Sequence, residues 1–273
     1  MSAPIDLDWE WDPFVLVPLA LSAGLYARGV WLMWRRAGVG RGVARWQAAA
    51  FAAAWLTLVG ALVSPLHEFG EHLFVAHMVE HELLMVVAAP LFAVSRPMGM
   101  FLHALPRGAR VELVNVAAWR PFRSAWAWVL APVTATVLHG AAIWIWHAPS
   151  LLDATLENET LHRFQHIAFL GTGLIFWWAI VRAPRRTYGI GAFHVFATML
   201  HTSLLGALLT LAPRVFYPLQ TADAARFGLQ PIEDQQLAGL FMWIPGGAVY
   251  LMAGLVLAGL WLTQSRRHVP TAP

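Results

Sequence analysis

Histidine pairs spaced four residues apart are the feature of this 273-residue sequence with the most direct chemistry. His77 and His81 form one pair, and His162 and His166 form the other. Residues at i and i+4 lie on the same face of a helix, so each pair can present two imidazoles to one partner. Imidazole is a ligand for copper, zinc, iron and nickel. The chain has no cysteine, which excludes thiolate metal sites, iron–sulfur clusters and disulfides and leaves histidine as the main candidate ligand.

The segments that carry these histidines are strongly apolar. Hydrophobic residues make up 59% of the chain and charged residues 12%, against about 45–50% and about 25% in soluble domains. This composition argues against a soluble enzyme, a disordered chain and a nucleic-acid-binding protein. Since a helix needs about 20 apolar residues to cross the hydrocarbon core, we predict an all-α, polytopic membrane bundle. It is a single integral membrane domain, 1–273, with seven transmembrane spans at roughly 13–34, 46–64, 73–94, 125–146, 161–181, 190–212 and 237–262.

The distribution of charge predicts the orientation of the bundle. All 18 basic residues are arginines, and all except Arg163, Arg214 and Arg226 fall at loops or span ends that would share one side. Short loops rich in arginine remain in the cytoplasm. We therefore predict an N-terminus outside and a C-terminus in the cytoplasm, in a bacterial cytoplasmic (inner) membrane. The sequence opens with acidic residues from Asp6 onward rather than with basic ones, which is unlike a signal peptide.

On this topology most of the histidines gather in the outer half of the bundle; His103, His194 and His268 are the exceptions. Three neighbouring spans bring imidazoles to similar depth. Ionisable groups inside a membrane cost on the order of a few kcal/mol each and are usually functional. A shared metal or haem would satisfy several rings at once, whereas hydrogen bonds between helices are the alternative for any single histidine. The predicted metal ligands are His77, His81, His162, His166, His139, His147, His72 and His201.

Four further side chains are predicted to border this site without binding the metal directly. Glu80 lies in an apolar span, where a carboxylate is costly unless it is protonated, paired or hydrogen-bonded to a metal-bound imidazole. Asp234, Gln235 and Met242 would approach the site from the last span. For Asp234 the alternative is an N-cap of that span.

The order of several short motifs resembles a known family. The chain resembles the bacterial caa3-type cytochrome c oxidase assembly factors called CtaG, the multi-span proteins rather than the single-span copper chaperone that sometimes shares the name. The resemblance covers roughly residues 60–262. It implies a role in maturing a haem–copper oxidase, with copper handling and with oxidase subunits or other assembly factors as partners. The motifs are His77-Met78-Val79-Glu80-His81 with Pro90 downstream, Trp146-His147-Ala148-Pro149, the His162 and His166 pair, and Asp234-Gln235-Gln236 followed by Met242-Trp243-Ile244-Pro245-Gly246-Gly247.

Three functions from different classes stay open at this point. The favoured one is a non-enzymatic assembly factor that binds copper at the outer histidines, since Cu(I) accepts imidazole and thioether ligands. The second is a redox protein with a b-type haem held by two histidines. The third is a di-metal membrane hydroxylase, which also uses clustered histidine strings. Residues 77–81 spell the H-x-x-E-H string of inverted zinc proteases, but no third-ligand motif accompanies it.

Overall fold

The computed structural model describes residues 8–266, with side chains up to residue 264. Asp6, Arg267 and His268 lie outside the described residues. The chain is 83% helical, and the described part contains no strand. The predicted all-α class is therefore confirmed.

Apolar runs closed by proline, glycine and short polar turns divide the chain into helices. π-helical turns at Leu83–Ala88 and Met242–Gly246 join α4 to α5 and α13 to α14. The helices are α1 Pro13–Ala37, α2 Arg45–Leu62, α3 Pro65–His72, α4 Phe74–Glu82, α5 Ala89–Ser95, α6 Pro97–Ala104, α7 Arg107–Ala118, α8 Arg120–Val129, α9 Pro132–Trp146, α10 Pro149–Glu157, α11 Glu159–Val181, α12 Tyr188–Thr210, α13 Pro231–Phe241 and α14 Gly247–Arg266.

Between five and seven segments can cross a membrane. Five helical segments are long and apolar enough by themselves, and each overlaps a predicted span. Two bent helix pairs raise the number to seven if each pair is one span; α2 and α3 meet at 46°, and α8 and α9 meet at 64°. The five segments are Pro13–Ala37, Phe74–Ser95, Glu159–Val181, Arg185–Thr210 and Pro231–Gln264.

The fourth predicted span, 125–146, is not one continuous helix. Pro132 begins α9, and the sharp bend lies just before it. Proline disfavours helical backbone at the preceding residue, and Ala131 is extended. The 15 residues of α9 are therefore short for a span, at about 22 Å. No residue of α7 or α8 is buried, so this arginine-rich segment adds nothing to the core.

Glycines at helix crossings allow the close packing of the bundle. A side chain at Gly246 would overlap the carboxylate of Glu82, and a Cβ at Gly239 would lie 2.6 Å from the carbonyl oxygen of Gly206. These contacts hold the last span against α4 and α12. The sequence predicts a kink at Pro245, and the structure accommodates this proline in the second π-helical turn.

A core of large aromatic side chains fixes α4 beside α11. Phe169, Phe176 and Trp177 of α11 are buried with Met85, and the indole N–H of Trp177 donates to the carbonyl oxygen of Met85 at 2.9 Å. Tyr250 of α14 stacks on Trp177 with ring centroids 5.6 Å apart. These contacts hold the two segments that carry the histidine pairs side by side.

Candidate metal centre

Five of the predicted ligands lie together where α4 and α11 begin and α9 ends. The ring centroids of His77 and His81 are 4.1 Å apart, and those of His162 and His166 are 4.4 Å apart. The two pairs face each other, because His77 lies 5.4 Å from His162 and His81 lies 5.5 Å from His166. His147 completes the group at 6.4 Å from His81. All five side chains are buried.

Glu80 lies at the centre of this cluster rather than beside it. Its side chain is fully buried, and its Oε1 accepts a hydrogen bond from His67 Nδ1 at 2.8 Å. The same oxygen is 3.6 Å from His166 Nε2. His67 lies on α3 and packs on His162 with ring centroids 5.3 Å apart. The carboxylate therefore shares one region with six imidazoles, of which five are buried and His67 is half-buried.

Three overlapping sets of side chains bring their ligand atoms within 4.8 Å of one another. His162 belongs to two of the sets, and a carboxylate belongs to every one. The sets are His67 with Glu71 and His162, His67 with Glu80 and His166, and His77 with Glu80 and His162.

Buried ring nitrogens without hydrogen-bond partners show that the residues present fit a metal. Both nitrogens of His77 and of His81 lack a partner, as do Nε2 of His147, His162 and His166. A buried polar atom left unpaired costs about 1–3 kcal/mol, so a group of them in a native site requires an explanation. A metal ion would accept the lone pairs of several rings at once.

His147 shows the arrangement typical of a metal ligand most directly. Its Nδ1 lies 2.7 Å from the carbonyl oxygen of Ile143, which can only accept, so the proton is on Nδ1. Nε2 therefore carries the lone pair, and it is buried without a partner. Ligating histidines usually donate their second N–H to a carbonyl or carboxylate, which fixes the tautomer. The Nδ1 of His67 is held in the same way by Glu80.

A glycine lets α3 lie against α4 and bring His67 into the cluster. Ser64 caps α3, accepting from the backbone N–H of Leu66 at 3.2 Å. A Cβ at Gly70 would lie 3.2 Å from Oε2 of Glu80 and 3.3 Å from the Cα of His77. A side chain at this position would require its neighbours to shift by a few tenths of an ångström.

Asp234 and Gln235 position the site instead of lining it. The carboxylate of Asp234 accepts from the backbone N–H groups of Phe74 at 2.8 Å and Val75 at 2.9 Å, which are the first two residues of α4. Asp234 thus caps the helix that carries His77, not its own. Gln235 accepts from the backbone N–H of Phe216 and donates to the carbonyl oxygen of Arg214, which anchors the loop after α12.

We expect Asp234→Ala to weaken both the fold and metal binding. The substitution leaves two backbone donors at the start of α4 without acceptors, at a cost of about 1–3 kcal/mol, and it frees α4 to shift. The thermal unfolding midpoint in detergent should fall, and so should the affinity for added metal. Glu157→Gln removes an exposed carboxylate outside the site and is the matched control. Equal unfolding midpoints for the two variants would contradict the capping role.

The loop after α12 covers the candidate centre like a roof and is bonded to two of its neighbouring segments. Tyr217 donates its hydroxyl to the carbonyl oxygen of His147 at 2.7 Å, and Gln220 donates to the carbonyl oxygen of Gly70 at 2.8 Å. Burial, with a smaller contribution from the carboxylate of Asp153, raises the pKa of Tyr217. The phenol therefore stays protonated and keeps donating, so the roof holds α9 and α3 together at neutral pH.

Three predicted ligands lie apart from the cluster. His139 has partners on both ring nitrogens, Thr172 and Tyr250, each at 3.1 Å. His72 contacts Asp223 at 2.6 Å near the surface. The Nδ1 of His201 accepts from an indole N–H at 3.3 Å. Met242, predicted at the border of the site, packs in the aromatic core instead.

Two polar residues in or beside the cluster, one half-buried and one buried, escaped prediction. His67 lies on α3, and the five-residue step to His72 turns the two rings about 140° apart on a helix. The proline and serine that open α3 were the available indication of that helix. Gln165 is fully buried between His162 and His166 with its amide unpartnered, and no pattern in the sequence singled it out.

Comparison with known proteins identifies the family. Residues 24–264 match the family model described as cytochrome c oxidase caa3 assembly factor, Caa3_CtaG. Uncharacterised proteins of Mycobacterium bovis and Mycobacterium tuberculosis are each 28% identical over 278 residues, covering 95% of this chain and 40% of those proteins. One from Mycobacterium leprae is 27% identical over 236 residues, covering 78% of this chain and 34% of that protein.

The chain spans less than half of the length of these curated relatives. No solved structure gives a significant match. The family model covers nearly the whole chain, which confirms the resemblance carried by the histidine and Asp-Gln-Gln motifs. The chain is a member of the cytochrome c oxidase caa3 assembly factor family.

Proposed function

We propose that this protein is a non-enzymatic assembly factor of the bacterial inner membrane that binds copper for a haem–copper oxidase at the cluster of His67, His77, His81, His147, His162, His166 and Glu80. The observation that carries the proposal is the set of buried, unpartnered ring nitrogens on α4, α9 and α11. Oxidase subunits or other assembly factors would receive the metal.

The donor set favours copper over harder cations. Imidazole suits copper, zinc, iron and nickel, whereas magnesium and calcium prefer oxygen ligands. The family assembles a cytochrome c oxidase, and among the metals that suit imidazole copper is the one that a haem–copper oxidase requires in addition to haem iron. Neutral imidazoles also hold a metal in the membrane with little added charge, and charge is what the bilayer opposes most strongly.

We further propose that the cluster opens to the outer side of the membrane. The support is the excess of arginine at the opposite loops. Reporter fusions at residues 40 and 155 test this orientation. A reporter that works only outside the cytoplasm should be active at 155 and inactive at 40. Activity at 40 would place the cluster on the cytoplasmic side and would contradict metal delivery at the outer side of the membrane.

The direct test of copper binding is metal analysis of the detergent-purified chain together with an optical spectrum. We expect bound copper after growth with copper and no Soret band. A Soret band would contradict the proposal and favour the haem-protein alternative. Copper at no more than the level of a membrane protein without clustered histidines would contradict it as well.

A further inference from the structure

The ligand atoms of the cluster lie at two levels along α4. Their interpretation as two metal positions rests on the proposed metal-binding function. Every compact set of three includes a carboxylate and involves His67 or His162. His81 and His147 belong to none of these three sets. His81 is one helical turn deeper along α4 than His77, about 6 Å. We propose that the cluster contains two metal positions, an outer one with a carboxylate and an inner one formed by imidazoles alone.

The inner position is surrounded by rings. The centroid of His81 lies 5.5 Å from that of His166, 6.4 Å from that of His147 and 4.5 Å from that of Phe169. Phe169 is fully buried and also lies 5.9 Å from His147. Both ring nitrogens of His81 and Nε2 of His147 point to no hydrogen-bond partner. His81 and His147 therefore offer two neutral nitrogen donors beside the ring of Phe169.

Two neutral imidazoles without a carboxylate favour a singly charged ion over a divalent one. The free energy needed to move an ion into a medium of low dielectric constant rises with the square of its charge, so Cu(I) enters more easily than a divalent ion. A singly charged ion does not require a carboxylate ligand to balance a second positive charge, and imidazole is a ligand that copper accepts. The inner position, formed by His81 and His147 with His166 beside them, therefore takes Cu(I).

The outer position suits a divalent ion instead. Glu80 supplies a negative charge there, and its Oε1 lies 2.8 Å from His67 Nδ1 and 3.6 Å from His166 Nε2. His162 and His77 complete a second set around the same carboxylate. A carboxylate with imidazoles is a donor set that Zn(II) and Cu(II) accept. His166 borders both positions, so the two ions would lie on either side of one ring.

Two probes separate the positions in the purified full-length chain. Cu(I) is added without oxygen against a chromophoric chelator, and Zn(II) is added to the same sample. We expect one Cu(I) and one Zn(II) to bind together. Glu80→Gln should lower the affinity for Zn(II) about tenfold or more and leave the affinity for Cu(I) within about twofold. Substitutions at metal sites typically lower metal affinity by about 10–100-fold.

The inner variants should show the reverse pattern. His147→Leu and His81→Leu each remove a donor lone pair and keep a side chain of similar volume. Each should lower the affinity for Cu(I) and leave the affinity for Zn(II) unchanged. If one of them fails to insert, the other still tests the inner position. His103→Leu removes a histidine that bonds to the backbone of α6 and should change neither metal. Copper X-ray absorption should show only nitrogen neighbours at low coordination number, unchanged by Glu80→Gln.

Other outcomes would overturn the proposal. One-for-one competition between Cu(I) and Zn(II), or equal loss of both metals in the outer and inner variants, would mean a single position. That result would leave the proposed metal-binding function standing. Failure of the wild-type chain to bind either metal would contradict the proposed function and the division together.

Discussion

A chain with His77→Ala and His81→Ala is expected to retain almost no copper while still inserting into the membrane. These residues contribute four ring nitrogens that lack hydrogen-bond partners, more than any other pair of the cluster. Even the loss of a residue that only orients a ligand costs about 10–100-fold in metal affinity, so removing two ligands should cost about 100-fold or more. The measurement is copper per chain after purification at matched expression.

The matched control for this variant is the pair His103→Ala and His194→Ala. Both control histidines have partners, the first within α6 and the second with Thr136 at 3.0 Å. The control should keep its copper. Equal copper in the two double variants would show that the metal is bound elsewhere, whatever the geometry of the cluster.

The same unpartnered ring nitrogens predict that a substitution which weakens metal binding will stabilise the metal-free protein. In the metal-free protein, the buried imidazole of His81 has no hydrogen-bond partner, and such a group costs about 1–3 kcal/mol. His81→Leu fills similar volume with an apolar side chain, so the metal-free variant should unfold at a higher temperature than metal-free wild type. Cu(I) added without oxygen should stabilise the wild type more than the variant, because only binding to the folded state raises stability.

In cells, we expect loss of this protein to lower oxidase copper without stopping oxidase synthesis. An assembly factor that supplies copper acts after the subunits are made, so the oxidase polypeptides should persist while copper per oxidase falls by more than half. Added copper should restore part of the activity, because a higher metal concentration can bypass a delivery step by mass action. The measurement is copper per oxidase in membranes of the deletion strain, with and without added copper.

The His77→Ala and His81→Ala variant should behave like the deletion, and the His103→Ala and His194→Ala control like the wild type. Normal copper in the oxidase of the deletion strain, together with lost respiration, would contradict copper delivery. A haem carrier would give that pattern, since added copper could not replace its electron transfer.

Helix positions and the two histidine pairs were accessible from the sequence because both follow local rules. Apolar length located the five long spans, and i, i+4 spacing placed His77 with His81 and His162 with His166 on shared faces. His147 followed from its place at the outer end of a span. None of these inferences requires knowledge of how the helices pack.

The remaining features of the site depend on contacts between distant parts of the chain. Glu80 meets His67 because Gly70 lets α3 lie close to α4, and spacing along α4 could not show that. His139 shares a helix with the predicted site but finds Thr172 and Tyr250 as partners. The division of the fourth span at Pro132 was local and could have been predicted from the proline, had its effect on Ala131 been weighed against the apolar run.

The cap on α4 has a consequence for the order of events during synthesis. The acceptor for the first N–H groups of α4 is Asp234, 160 residues after Phe74. Ribosomes add about 5–20 residues per second, so α4 waits about 8–30 s after it is made before its cap emerges. Until the last span has entered the bilayer, the helix bearing His77 is neither capped nor pressed against α13. A nascent chain that has not yet reached Asp234 therefore presents the proposed ligand His77 on a helix without its cap.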